Sequence, residues 1–210
     1  MRIKSPLSGI YKLEVPFENI YTAVFAVCEG NDFVLIDCAT TADDVAVHIL
    51  PALDKLGLTG APRALLLTHT HGDHAGGATA LHARFPEMPI YAAETPKDVP
   101  VLNVEDGDRL PCGLQALLLP GHTKRSVGYL HLPTKAMISG DCLQQKGVDK
   151  YVNGIRFPQL YIESIQRLRS LPLQHLLASH DYVPLGAEAH GEAAIAAYLD
   201  ECERDTPKSI

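Results

Sequence analysis

Apolar and polar positions along this chain come in short bursts, and many of the apolar runs end on a glycine, a proline or a residue with side-chain chemistry. Three strand-like runs open it between residues 9 and 38: IYKLEV, YTAVFAVCE and DFVLIDC. Glu29-Gly30-Asn31-Asp32 joins the second to the third, and Gly and Asn accept the positive φ of a tight hairpin, so an antiparallel meander is expected. Residues 41–56 then show helical spacing, with Val45, His48, Ile49 and Leu53 on one face and Pro51 placed to kink or divide the helix. After a loop over 57–62, residues 63–68 read as a strand and 77–85 as a helix stopped ahead of Pro86. Residues 89–93, 101–105 and 114–119 read as further strands. Strand, loop and helix in alternation predict an α/β layered fold.

Further along, residues 143–157 lack regular periodicity and include Gly147 and Gly154, which predicts a long loop. Residues 159–171 are amphipathic at helical spacing through Tyr161, Ile165 and Leu168. A last helix is expected over roughly 187–203, packing an alanine-rich face of Ala193, Ala194 and Ala197.

Composition bounds the function. With 210 residues, 46% hydrophobic and 20% charged, the chain is long enough for a full core, and a single domain over 1–210 is expected. A net charge of -7 leaves no basic face for a nucleic-acid backbone, so no nucleic-acid partner is expected. The start has no apolar run of signal-peptide length, and no stretch approaches the ~18 apolar residues of a membrane span; a soluble, cytoplasmic protein without a membrane partner is expected. Five scattered cysteines without a CxxC spacing suggest neither a disulfide framework nor a thiolate zinc site.

The chemistry concentrates in LLLTHTHGDHAGG, which ends at Gly77. His69, His71, Asp73 and His74 follow an apolar run directly, and burying them beside it without a partner would cost several kcal/mol. Imidazole and carboxylate are ligands for zinc and other borderline divalent ions, so metal is the simpler explanation. In extended chain His69 and His71 point the same way, while Asp73 and His74 sit on the turn into the next helix, a loop with room for two ions. Three later apolar strands also run into a ligand type: LQALLLPG into His122, AMISG into Asp141 and LQHLLAS into His180. Asp37 ends the third strand either as a helix cap or as a support for the site. His48, His82, His131, His175 and His190 are read as ordinary surface or core histidines.

Taken in order, these residues resemble the metallo-β-lactamase superfamily. Thr68-His69-Thr70-His71-Gly72-Asp73-His74 matches its THxHxDH signature, Gly121-His122-Thr123 its third-histidine motif, Gly140-Asp141 its bridging-aspartate motif and His180 its terminal histidine. The resemblance implies an αββα four-layer sandwich with a dinuclear site. One metal would take His69, His71 and His122, the other Asp73, His74 and His180, with Asp141 bridging and Asp37 orienting the histidine loop from behind. It implies two divalent ions, zinc first and iron or manganese as alternatives, with open positions for a bridging hydroxide. Asp73 would be the catalytic residue that accepts a hydrogen bond from that water. The implied activity is hydrolysis of a small-molecule thioester, ester or lactone, as in short glyoxalase II-like or lactonase-like members.

Departures from relatives shape that expectation. Where many relatives continue GHT with Pro-Gly, this chain has Lys124-Arg125-Ser126, either a solvated loop or an anchor for a substrate carboxylate. The C-terminal substrate domain of glyoxalase II has no room in the stretch after His180. Cys142-Leu143-Gln144 lacks the tyrosine that lactonase relatives place three residues past the aspartate. The alternatives are a nuclease or phosphodiesterase, disfavoured by the acidic charge; an iron-dependent oxidoreductase, disfavoured because His71 stands where diiron reductases carry glutamate; and a β-lactamase, disfavoured by the missing export signal.

Overall fold

A computed structural model describes residues 1–96 and 98–206. The chain divides into two compact units, Met1–Val104 with Leu110–Gly113, and Glu105–Arg109 with Leu114–Ile210.

The first unit is built on a seven-stranded sheet whose strands lie in chain order: β1 (Arg2–Leu7), β2 (Ile10–Phe17), β3 (Ile20–Glu29), β4 (Asp32–Ile36), β5 (Leu65–Leu66), β6 (Ile90–Ala92) and β7 (Leu102–Asn103). The expected meander is there, with an extra edge strand, β1, whose half-exposed RIKSPL gives little apolar signal. From β4 onward pairing turns parallel, Leu35 opposite Leu65 and Leu65 opposite Ile90. Parallel strands need crossovers, and helices supply them. One face of the sheet, through Leu13, Val24, Phe33 and Leu35, packs on Val45, Ile49, Ala52 and Leu53 of the first crossover. That crossover consists of α1 (Ala42–Asp44), a π-helical turn Val45–Ile49 and α2 (Leu50–Lys55). Thr41 and Asp44 close a capping box at its start. Pro51 divides the helix as expected: it has no N–H to donate, and just before it Leu50 N–H reaches five residues back to Val45 O. The second crossover carries α3 (Gly72–Ala75) and α4 (Ala78–Arg84).

The rest of the chain holds β8 (Arg109–Leu110), β9 (Leu114–Leu118), β10 (Val127–His131), β11 (Ala136–Gly140), a hairpin of β12 (Gly147–Val148) and β13 (Tyr151–Val152), α5 (Pro158–Arg169), β14 (His175–Ala178), β15 (Glu188–His190) and α6 (Glu192–Arg204). Its six-stranded sheet runs β15-β14-β11-β10-β9-β8. β14 lies parallel to β11, and β9–β10, β10–β11 and β14–β15 are antiparallel. Leu117, Met137 and Leu176 pack on Tyr161, Ile165 and Leu168 of α5 and on Ile195, Tyr198 and Leu199 of α6. Each such side chain fully withdrawn from water is worth roughly 1.5–3 kcal/mol.

Two expectations are corrected here. The last helix starts at Glu192, because residues 188–190 pair with 175–177 as an edge strand and Gly191, at φ +82°, turns the chain between them. Its alanine face is exposed, and the buried stripe is Ile195, Tyr198, Leu199 and Cys202, whose spacings of three and four fit one helix face. The second concerns residues 143–157, expected as a loop throughout, which carry a short hairpin. The β12–β13 hairpin bridges to Val183, and Arg156 and Phe157 N–H both donate to Gly121 O at 2.9 Å. Among the described residues no helix is long and apolar enough to cross a membrane.

Candidate metal centre

In the first unit the site begins where β4 stops. Asp37 takes φ +62°, a left-handed conformation that costs a non-glycine residue energy and that neighbouring structure must impose. Its N–H is held by Leu66 O at 2.9 Å. Its carboxylate, 1% exposed, accepts Thr68 N–H at 2.8 Å and Thr68 Oγ1–H at 2.8 Å. The same group lies 2.7 Å from His74 Nδ1. With Nδ1–H given to Asp37, His74 presents Nε2 as its ligating nitrogen. Thr68 Oγ1, donating to Asp37, also meets His69 Nδ1 at 3.1 Å, which selects the same tautomer there.

The single turn of α3 sets Asp73 and His74 side by side, Asp73 Oδ2 being 3.4 Å from His74 Nε2. The His69 ring lies 4.6 Å from that of His71 and 4.2 Å from that of His74, centroid to centroid. Thr22, on β3, donates to Asp73 Oδ2 at 3.2 Å. The glycines that close the motif are dictated by space: a β-carbon on Gly76 would run into Thr40 O, and one on Gly77 into Cys38 O. Their absence lets Cys38 N–H reach His74 O at 2.8 Å, locking the histidine loop to the segment after Asp37.

In the second unit the two strand-tip histidines converge on the Asp141 carboxylate. Asp141 has His122 Nε2 at 3.6 Å from Oδ2 and His180 Nε2 at 3.4 Å from Oδ1. A register shift between Ile138 and Gly140, where β11 meets β14, comes just before Asp141, and Gly140 carries φ +54°. His122 Nδ1–H donates to Gly154 O at 2.9 Å, again leaving Nε2 as the ligand atom. Gln144 lies beside that ring, its amide bonded to Gly154 N–H and, at 3.3 Å, to Asp141 O.

Tyr182 donates its hydroxyl to Asp141 Oδ1 at 2.9 Å. Burial, with Asp141 adding to it, pushes the Tyr182 phenol well above its ordinary range, so the group stays a donor. Sequence reasoning missed Thr22, Gln144, Gly154 and Tyr182. Two of them left a trace, Tyr182 two residues past His180 and Gln144 three residues past Asp141. Lys124 and Arg125 are partly engaged, Lys124 Nζ over the Phe157 ring at 5.5 Å and Arg125 Nη2 3.7 Å from Glu105.

Each unit therefore gathers its own set of nitrogen and oxygen donors: His69, His71, Asp73 and His74 in the first, His122, Asp141 and His180 in the second. For His69, His74 and His122 an oxygen engages Nδ1 and turns Nε2 toward ligation. This donor chemistry fits borderline divalent ions.

Residues 19–98 match the family model of the metallo-beta-lactamase superfamily. A hydroxyacylglutathione hydrolase of Yersinia pestis (strain Pestoides F) is 34% identical over 159 residues, 71% of this chain and 62% of that protein. That of Yersinia enterocolitica is 37% identical over 126 residues, 58% of this chain and 49% of the relative. The chain thus spans less than two thirds of the length of these curated relatives. The metallo-β-lactamase of Hirschia baltica superimposes with a TM-score of 0.72 at 20% identity, covering 100% of this chain and 99% of the other. That of Erythrobacter litoralis does so at 0.72 and 18%, covering 96% of each. At such identities these two speak for the α/β fold alone. Sequence kinship through the histidine motif and fold kinship over the whole chain agree, and the chain belongs to the metallo-β-lactamase superfamily.

Proposed function

We propose that this chain is a dinuclear metal-dependent hydrolase of small-molecule carbonyl substrates, a thioester first and an ester or lactone as further possibilities. His69, His71 and His122 would hold one ion and Asp73, His74 and His180 the other, with Asp141 shared. The observation that carries the reading is the treatment of Asp141, whose two oxygens each face a different imidazole while Tyr182 fixes its orientation. When bound, two divalent ions, zinc first, supply Lewis acidity and a nucleophile near neutral pH. The chain's own residues do the rest. Asp37 and Thr68 set the histidine tautomers, Tyr182 restrains Asp141, and Asp73 would accept a hydrogen bond from the attacking water.

The choice of thioester rests on the Yersinia relatives named hydroxyacylglutathione hydrolase. A cytoplasmic setting is supported by five cysteines that are all free thiols. The deciding experiment is metal analysis joined to a panel of glutathione thioesters, lactones and nitrocefin. Metal-dependent thioester hydrolysis with close to two ions per chain is expected. Turnover of nitrocefin alone, or of nothing in the panel by fully loaded protein, would overturn the reading.

A further inference from the structure

We propose that His175 and His190 form a second metal site, on the edge of the six-stranded sheet, for one copper(II) or nickel(II) ion. The two residues are register partners across the antiparallel pair β14–β15, so their side chains leave the same face. Their Nδ1 atoms are 2.9 Å apart, with ring centroids at 5.1 Å. Two nitrogens at that spacing, each about 2.0–2.1 Å from a common ion, subtend about 90° there. That is the cis angle of square-planar or tetragonal coordination, whereas a tetrahedral zinc would want them about 3.3 Å apart.

A carboxylate completes the arrangement from behind. Glu188 precedes His190 by two residues and so shares its face. Its Oε2 lies 3.5 Å from His190 Nε2, on the side of the ring away from the paired Nδ1. A carboxylate on the outer nitrogen fixes an imidazole and makes the inner one a better ligand. Burial, with His190 beside it, holds His175 below the ordinary imidazole range, so at neutral pH it is a neutral imidazole, and an ion need only shift its Nδ1 proton to the outer nitrogen. Without an ion the contact is a hydrogen bond, one Nδ1–H donating to the other ring.

The position gives such a site a structural consequence. His175 opens β14, whereas His180 follows its far end, so the pair stands apart from the donors described above. β15 is the sheet's edge strand and runs through Gly191, whose N–H meets Gln174 O at 2.8 Å, into α6. An ion shared by His175 and His190 clamps that edge and the start of the terminal helix to β14, and an ion that binds only the folded state raises its stability.

The test uses full-length protein saturated with zinc and titrated with copper(II) under electron paramagnetic resonance. The expected result is one further copper per chain with nitrogen couplings from two imidazoles, no zinc release, and a higher melting temperature. His175→Ala and His190→Ala should each weaken that copper at least tenfold and abolish the thermal shift, and Glu188→Gln should weaken it by a smaller factor. Both histidines reach solvent, so the copper-free variants should melt like the parent, which keeps the comparison interpretable. Copper that binds equally well in both histidine variants, or that enters only by displacing zinc, would overturn the assignment.

Discussion

Asp37 Oδ2 and His74 Nδ1 stand 2.7 Å apart although 37 positions separate them in the chain, and the two side chains are 1% and 0% exposed. This contact is the hinge between the sheet of the first unit and the histidine loop, since the same carboxylate also takes both donors of Thr68. Asp37→Asn keeps the shape but puts an amide donor against either His74 or Thr68. A 10–100-fold loss of metal affinity is the expected outcome, measured by chelator competition, with the circular dichroism spectrum retained. Asp37→Ala should also destabilise, because buried donors left unsatisfied cost about 1–3 kcal/mol each. Unaltered affinity in Asp37→Asn would separate this residue from the metal centre.

Replacing His122 by Ala should leave one tightly held ion in place of two and remove most activity, read by elemental analysis of dialysed protein alongside turnover. If fully loaded parent protein carries a single ion, the dinuclear reading fails whatever the variant does.

Asp141→Asn should damage rate more than fold, since an amide lacks the negative charge that two cations would share. Tyr182→Phe is the subtler change. It removes the donor to Asp141 Oδ1 and should lower kcat several-fold while costing about 1 kcal/mol. Because the phenol's pKa is raised on folding, its share of stability is whole below the unfolded value near ~10 and drains away as pH climbs past it. Stability to denaturant from pH 8 to 11 should therefore fall more steeply for the parent than for Tyr182→Phe. Parallel curves would show that the phenol is not held this way.

Arg167 grips Asp106 with two bonds of 2.7 and 2.9 Å, and Leu118 N–H adds a third at 2.8 Å. The Arg167 hydrogen bond holds the Asp106 carboxyl below the usual range, so the stability it contributes is present above pH ~3.9 and is lost as acid protonates it. Asp106 is 44% exposed, which keeps the effect small. Asp106→Asn should cost about 0.5–1 kcal/mol at pH 7, with the two proteins converging as acid protonates the carboxyl in the folded state. A gap that persists in acid would assign the effect to the backbone bond instead.

We propose that residues 143–157 govern substrate choice; there Tyr151 and Phe157 are half-buried and Lys124 lies over the Phe157 ring. Tyr151→Ala and Phe157→Ala should each reduce kcat/KM about tenfold on the best thioester, with metal content unchanged. Unaltered kinetics in both would move the substrate elsewhere.

The donor residues were legible because each stands where an apolar run stops, and a strand of buried leucines ending on His or Asp is a costly pattern without a partner. Supporting groups left no such mark. Thr22 sits inside an apolar strand as any β-branched residue would, and Gln144 and Gly154 matter through contacts across the chain. Among elements, β15 was hidden because EAH runs through a single glycine into a strong helix former, so helical period appeared to start early. The exposed alanines of α6 misled for a related reason: small residues fit either face, whereas Ile195, Tyr198 and Leu199 can occupy only the inner one.

Gly154 has one further implication, for anyone wishing to remodel this chain. A β-carbon there would stand 3.0 Å from His122 Cε1, so the backbone at 154 serves as the mould against which that imidazole is cast. Residues that border the mould, Gln144 among them, cannot be exchanged for a relative's version without re-aiming the ring. The exposed tip at Asp149 and Lys150 lies only four residues ahead of Gly154, so a foreign loop spliced in there leaves the mould in place only if the β12–β13 pairing is kept.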